Sequence, residues 1–290
     1  MDLADARQAE RTPVPQTGAS LDRPVLPQMA APSGGPGSVI FDHVTVEFVE
    51  AGVLAVTDFC LDVRPGEFVS IVGPSGCGKT TVLNFAAGLL PAGVCRGQLL
   101  VGGKPPFTGN RDIAYMLARD ALCPWRTTLE NAELGTEIRG VPLEERRRRA
   151  LDLLDKVGLK GFEHAYPKAL SQGMRQRVAL ARTFSLDAPI LLMDEPFGAL
   201  DAQTKLQLED VLLSLWQREQ RTVVFITHDL SEAVSMSDRV IVMSARPGRI
   251  IADVPITLGR PRSVRALQKD ARYHELYSHV WTKLEEGLTP

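Results

Sequence analysis

The sequence predicts an α/β fold organised around a phosphate-binding loop, and three observations carry that reading. Phe68–Val72 is a short apolar, β-branched run, the pattern of a buried strand. It breaks into Gly73-Pro-Ser-Gly-Cys-Gly-Lys79-Thr80, which fits G-x-x-x-x-G-K-[ST] without a mismatch and leads into helix-forming composition from Thr80. Two later apolar runs, beginning at Ile190 and Thr222, end in Asp194-Glu195 and in His228. Strands that finish in polar groups beyond a glycine loop are the arrangement of an open α/β sheet with a site at its carboxyl end.

The loop chemistry explains the residue types. Gly73, Gly76 and Gly78 let successive N–H groups turn inward where a Cβ would interfere. The following helix adds about half a positive charge at its N-terminus. Lys79 supplies a full charge for β- and γ-phosphates, and the Thr80 hydroxyl is a hard oxygen ligand for Mg²⁺. The expected nucleotide contacts therefore span Gly73, Pro74, Ser75, Gly76, Cys77, Gly78, Lys79, Thr80 and Thr81. The plain alternative is a glycine-rich turn with no ligand, and the flanking strand and helix argue against it. The chain is expected to bind a nucleoside triphosphate.

Composition excludes several classes. With 290 residues and 44% hydrophobic content, the chain has ample material for a core and reads as a soluble protein. No run approaches the ~18 apolar residues of a membrane span, and no apolar segment marks a secretory signal. A formal charge of −2 gives no general electrostatic reason to bind nucleic acid. Cys60, Cys77, Cys95 and Cys123 are scattered without a C-x-x-C pair, so reduced thiols are expected rather than a metal centre.

In chain order, residues 1–37 are rich in Pro and Gly, hold few large apolar residues, and are expected to be disordered. Val39–Phe48 and Leu54–Val63 read as antiparallel strands turning at Gly52. Phe48 suits either a base-stacking position or ordinary core, and the sequence leaves both open. Gly88 and Pro91 stop the helix after the loop, and strand-like pieces follow at 97–101 and 112–117. Residues 118–185 read as a mostly helical insertion. Within it, 142–157 is amphipathic, with Leu143, Leu151, Leu154 and Val157 expected inward. The run Glu144-Glu-Arg-Arg-Arg-Arg149 is read as a solvated face with Glu144/Arg148 and Glu145/Arg149 pairs.

Ser171 is a good N-cap for a helix over 171–184, and taken alone would be only that. The strand ending in Asp194-Glu195 is more telling, because buried strands rarely terminate in paired acids unless a cation or a reacting group faces them. Asp194 is placed to hold Mg²⁺ through water, and Glu195 to accept a proton from an attacking water. A helix over 202–219 precedes the next strand. His228 after it is either structural or a γ-phosphate contact. A helix at 230–236, a strand at 239–243 and an Arg246-Pro-Gly-Arg249 turn follow. The tail carries Val264, Leu267, Ala271, Leu276, Val280 and Leu284 at helical spacing and should pack as a short helical appendage.

These pieces, in this order, resemble the ATP-binding subunits of ABC transporters. The resemblance covers nearly all of residues 39–250. It matches Walker A at Gly73–Thr80, the family signature at Leu170–Met174, Walker B at Ile190–Asp194, the catalytic glutamate at Glu195, the D-loop at Ala199–Asp201 and the switch histidine at His228. Leu122–Asn131, Met174–Arg177, Ser244–Arg249 and Gly259–Arg262 are similar to the nitrate/sulfonate/taurine importer branch.

The resemblance implies an ABC ATPase core with a mixed or parallel sheet, an antiparallel β subdomain and the inserted helical subdomain. Residues 38–252 would form it, with 253–290 as the appendage. It implies ATP and Mg²⁺ as ligands, with Thr80 and Asp194 on the metal, Glu195 and His228 catalytic, and Phe48 stacking on adenine. Ser171, Gly173 and Asp201 would act across a dimer of two ATPase subunits, presumed alike. Further partners would be a membrane permease and, indirectly, a periplasmic solute-binding protein, with the chain peripheral on the cytoplasmic face of the inner membrane and no nucleic acid involved.

Two positions depart from the family pattern: Ala118 stands where the Q-loop glutamine belongs, and Gln172 replaces the first signature glycine. Competing readings are a soluble ABC-type ATPase acting on nucleic acid or ribosome, and a phosphate-loop kinase for a small acceptor. The single Walker A and lack of basic charge weigh against the first, and the signature against the second.

Overall fold

The computed structural model describes residues 34–91, 94–198 and 200–287. Its elements are β1 (Val39–Phe48), β2 (Val53–Val63), β3 (Phe68–Val72), α1 (Lys79–Ala86), β4 (Cys95–Val101), β5 (Ile113–Met116), α2 (Thr128–Ile138), α3 (Leu143–Lys156), α4 (Gln172–Ser185), β6 (Ile190–Asp194), α5 (Ala202–Glu219), β7 (Thr222–Ile226), α6 (Leu230–Met236), β8 (Arg239–Met243), β9 (Ile250–Pro255), α7 (Val264–Leu267) and α8 (Ala271–Glu286).

The central sheet has the order β5-β6-β7-β3-β8-β9, and all its pairings are parallel except that of β9. Strands β3, β6 and β7 are buried at every residue. Their continuous apolar runs follow from having both faces covered. Alternate side chains serve opposite layers: Leu191, Met193, Val223 and Phe225 pack with α4 and α5, whereas Ile190, Leu192, Val224 and Ile226 pack with α1 and the second sheet. That second sheet is antiparallel, order β2-β1-β4.

The helices between β5 and β6 begin where the sequence can satisfy their free amides. Thr127 and Glu130 form a reciprocal capping box at α2, with Glu130 N–H donating to Thr127 Oγ1 at 3.3 Å and Thr127 N–H to Glu130 Oε2 at 2.7 Å. In α3 the buried face is Ala150, Leu153 and Leu154, with Val157 just beyond. Leu143 and Leu151, expected inward, are 46% and 40% exposed. The helix is rotated from the anticipated stripe because small Ala150 approaches its neighbours closely and Leu153 takes the adjoining core position. The arginine run also does more than face solvent. Glu145 pairs with Arg149 at 2.5 Å, but Arg146 and Arg147 reach the buried Glu133 of α2 at 3.5 and 3.2 Å.

Three further differences from expectation concern the ends. Residues 1–33, part of the expected disordered segment 1–37, lie outside the described residues, but Gly37 is buried and its carbonyl accepts the Thr222 hydroxyl at 2.5 Å. Strand β9 crosses the anticipated boundary at 252/253 and pairs antiparallel with β8, so the appendage starts after Pro255. Only one residue of β9, Val254, is buried, and without a fully apolar run it gave no strong strand signal. In the tail Val264, Leu267 and Val280 are buried while Ala271 is exposed, because the helix is interrupted between α7 and α8.

Between α5 and α6 lies a buried charge network. Lys205 Nζ is 2.5 Å from both Asp229 Oδ2 and Glu232 Oε1, and Glu232 also accepts the Thr227 hydroxyl. Beside them, burial first and the Glu232 charge second push the Glu209 carboxyl up to about 8. A carboxyl whose pKa rises on folding leaves stability intact below the unfolded value and erodes it as pH climbs towards the folded value. Glu209→Gln should therefore gain thermal stability relative to wild type as pH rises from about 5 to about 8. Melting curves across that range test this; a difference independent of pH would remove Glu209 as the titrating group.

Candidate nucleotide-binding and catalytic site

Parallel register places the functional ends side by side. Ile226 at the end of β7 is paired with Ile71 of β3 on one side and Asp194 of β6 on the other. The glycine loop, the acidic pair and His228 thus emerge from three adjacent strands at one edge of the sheet.

In the loop, Gly76 and Gly78 have φ of +75° and +105°, the left-handed region that glycine tolerates. At Gly78 a Cβ would lie 2.6 Å from Val56 Cγ2 and 2.9 Å from the Ala55 carbonyl, so the loop lies directly against β2. Lys79 starts α1 and is buried, its Nζ donating to the carbonyls of Gly73 at 2.8 Å and Pro74 at 3.1 Å. An ammonium has three donors, so one remains for a ligand after the loop has positioned the group. Cys77 is buried in the core against β2 and β3, its amide donating to the Pro74 carbonyl at 3.3 Å. Burial pushes its thiol up.

Across the sheet, the Thr80 hydroxyl donates to Asp194 Oδ1 at 3.1 Å. Burial is the leading cause that raises the Asp194 carboxyl, opposed by the Thr80 hydrogen bond. A hydroxyl and a carboxylate at this separation form the hard-oxygen pair that Mg²⁺ takes, and a divalent cation would offset the desolvation of Asp194. The residues therefore fit that ion. Glu195 follows with φ of +44°, unusual for a residue bearing a Cβ. It is pinned by its amide donating to the Ile226 carbonyl at 2.9 Å, and its Oε2 lies 3.2 Å from His228 Nδ1. The neighbours thus hold a backbone conformation that a residue with a Cβ adopts only at a cost.

A cleft of about 430 Å³ opens in front of these groups, lined by Phe48, Ser75, Gly76, Gly78, Lys79, Thr80, Thr81, Glu195 and Arg246 together with Ala51, Val53 and Ala55 of the β1–β2 hairpin. Phe48 lines the cleft and also packs against the core. Gly73, Pro74 and Cys77 do not line it; the first two work through Lys79, and the third through packing. Ser171, Gly173 and Asp201 are also absent from this wall. Ser171 is exposed and caps α4 by accepting the Met174 amide at 3.2 Å. Gly173 abuts α5, where a Cβ would meet Thr204 Cγ2 at 2.5 Å. Asp201 caps α5 by accepting the amides of Gln203 and Thr204, and hydrogen bonds, that of the Thr204 side chain foremost, hold its carboxyl low. Ala199 lies outside the described residues.

Sequence reasoning missed Arg246. It was visible only as part of a turn, and nothing local indicates that a residue 170 positions after Gly76 donates from Nε to the Gly76 carbonyl at 3.1 Å. It also missed that pairing of β1 with β2 gathers Asp42, His43 and Cys60, with ligand atoms within 4.8 Å of one another and with His43 Nδ1 against Asp58 at 2.5 Å.

This sheet edge, with its glycine cradle, buried lysine and strand-terminal acids, defines a phosphate-loop ATPase. A family profile described as ABC transporter matches residues 56–198. An uncharacterized ABC transporter ATP-binding protein of Methanocaldococcus jannaschii is 48% identical over 223 residues, spanning 77% of this chain and 82% of the relative. The taurine import ATP-binding protein of Rhizobium johnstonii is 39% identical over 244 residues, covering 81% of this chain and 92% of the relative. A dimeric ATP-binding cassette in a post-hydrolysis state with ADP and Pi superposes with a TM-score of 0.65 at 32% identity, covering 76% of this chain and all of that one. The chain belongs to the ATP-binding proteins of the ABC transporter family and is an ATPase of that kind.

The closeness of Gly78 to β2 gives a direct test of the cradle. Gly78→Ala should destabilise the fold by about 1–3 kcal/mol and weaken nucleotide binding at least about tenfold. Thermal melts and titration with labelled ATP measure both; wild-type values in each would show that the loop tolerates a Cβ.

Proposed function

We propose that two copies of this chain clamp two ATP molecules and couple their hydrolysis to solute import through a membrane permease. The observation that carries the reading is that Lys79, Thr80 and Glu195 line one cleft, with Asp194 hydrogen-bonded to Thr80 and His228 set against Glu195 at the same sheet edge. In this scheme Lys79 and the loop amides bind the β- and γ-phosphates, and Phe48 stacks on adenine. Thr80 and Asp194 hold Mg²⁺, which when bound neutralises phosphate charge. Glu195 accepts a proton from the attacking water, and His228, held 3.2 Å from it, orients that carboxylate and meets the γ-phosphate.

The positions of Ser171, Gly173 and Asp201 outside the cleft wall support their use across a dimer. Helix α4 opens at the exposed cap Ser171, which would present its hydroxyl and the helix N-terminus to the partner's γ-phosphate. The dimeric form of the ADP-bound cassette supports the same arrangement. The taurine-importing relative supports a small-solute substrate of the nitrate, sulfonate or taurine type. Among the described residues no helix is long and apolar enough to cross a membrane, in keeping with a peripheral subunit at the cytoplasmic face of the inner membrane. The solute would be captured by a periplasmic binding protein and would never touch this chain.

Glu195→Gln should slow ATP turnover by about 10²–10⁴ while leaving ATP binding intact, and turnover at the wild-type rate would remove Glu195 from the base role. Co-purification with a hydrophobic permease tests the coupling. Ala118, exposed in the loop after β5, stands where the family's glutamine would be. Ala118→Gln is expected to raise permease-stimulated hydrolysis, measured in the reconstituted transporter. A null result would show that the loop is served by other contacts, such as Arg175 to Asp120 at 3.0 Å.

A further inference from the structure

Arg246 stands in the cleft without an assigned task. It lies in the turn between β8 and β9, and that turn is built against the phosphate loop. The Gly248 amide donates to the Ala55 carbonyl at 2.9 Å, and the Gly248 carbonyl accepts the Thr57 amide at 2.9 Å, so the turn is latched to β2. A Cβ at Gly248 would collide with the Cys77 carbonyl, so glycine there lets the turn approach the loop backbone. Upon that support Arg246 donates from Nε to the Gly76 carbonyl at 3.1 Å.

One hydrogen bond occupies one of the five guanidinium donors. Among the described residues Arg246 has no carboxylate partner. That sets it apart from Arg239, which is fixed by Glu67 and Asp253, and from Arg260, which is fixed by Asp238. The residues lining the cleft include two cations, Lys79 and Arg246, and a single anion, Glu195. Lys79 is buried under the loop, whereas Arg246 is exposed at the cleft wall, so they approach the loop from inside and outside.

We infer that Arg246 is a second phosphate-binding cation of this site, its free guanidinium donors gripping the phosphate chain of the nucleotide from the solvent side. This rests on reading the cleft as the ATP site. A planar, permanently charged fork anchored at one nitrogen is suited to phosphate oxygens, and a lysine could not reproduce both the anchor and the grip. Because this contact is made equally in the ground state and the transition state, it should act on KM and leave kcat at saturating ATP largely unchanged.

The experiment compares wild type, Arg246→Ala, Arg246→Lys and Lys79→Ala. Binding is measured with MgATP and with inorganic tripolyphosphate, which lacks base and ribose, and ATPase kinetics are run in parallel. Arg246→Ala should weaken binding of both ligands about tenfold and raise KM by a similar factor, with Arg246→Lys between it and wild type. Melting in the absence of nucleotide should match wild type, since the side chain is exposed. The inference falls if Arg246→Ala binds both ligands as wild type does. It also falls if only MgATP weakens, which would place the arginine on the base or ribose. Lys79→Ala separates the two claims: if it retains ATP affinity, the cleft itself has been misread, whereas loss there with unaltered Arg246→Ala removes only the arginine.

Discussion

The constraint on which this structure depends is the burial of a parallel sheet on both faces. Strands β3, β6 and β7 are closed to solvent at every residue, so no polar group can leave them sideways without losing its hydration. Apart from Ser70, whose buried hydroxyl is paired with that of Ser237, the polar side chains of these strands lie at their ends. Parallel pairing then puts all the carboxyl ends on the same edge, which is why Lys79, Asp194, Glu195 and His228, drawn from distant parts of the chain, emerge side by side, with Lys79 and Glu195 in the cleft wall and Asp194 and His228 held behind it by Thr80 and Glu195. The register of Ile71, Ile226 and Asp194 is the frame, and the site is hung on it.

The connections either side of that frame divide its labour. In the helical insertion α2–α4 the Ser171 cap that opens α4 lies outside the cleft wall, while the β1–β2 hairpin and the β8–β9 turn pack against the phosphate loop. The same α4 is tied back to the loop after β5: Arg175 reaches Asp120, and Arg182 donates to the carbonyls of Asp120 and Ala121 at 2.7 and 2.8 Å. These contacts hold the loop against the start and middle of α4 without any contribution from the alanine at position 118. On the far side, Lys205 joins the helix capped by Asp201 to Asp229, the residue next to His228.

Legibility varied with the range of the interactions involved. The phosphate loop, the buried strands and the cap of α4 were readable because each is a local pattern: a glycine where φ is positive, an apolar run with both faces covered, an oxygen three residues ahead of an orphan amide. Strand β9 was not readable, since an edge strand with one buried residue lacks the run that marks its neighbours. Leu143 and Leu151 misled for a related reason. Helical spacing fixes which residues share a face, but the packing of Ala150 and Leu153 against neighbouring helices selects the face that turns inward.

What the amino-acid order determined alone was the chemistry on offer: a triphosphate cradle, a hard-oxygen pair, a carboxylate base and a capped signature helix. The cradle and the capped helix depend on residue types within a few positions of one another, whereas the two members of the hard-oxygen pair, Thr80 and Asp194, are each local to a strand end and 114 positions apart. What only tertiary structure decided was which of them meet within one subunit. The fold put Phe48 and Arg246 into the cleft wall, left Ser171 and Asp201 outside it, and closed the arginine run onto Glu133. Those outcomes depend on strand pairing and helix packing between residues far apart in the chain, and no local pattern encodes a distance across the sheet.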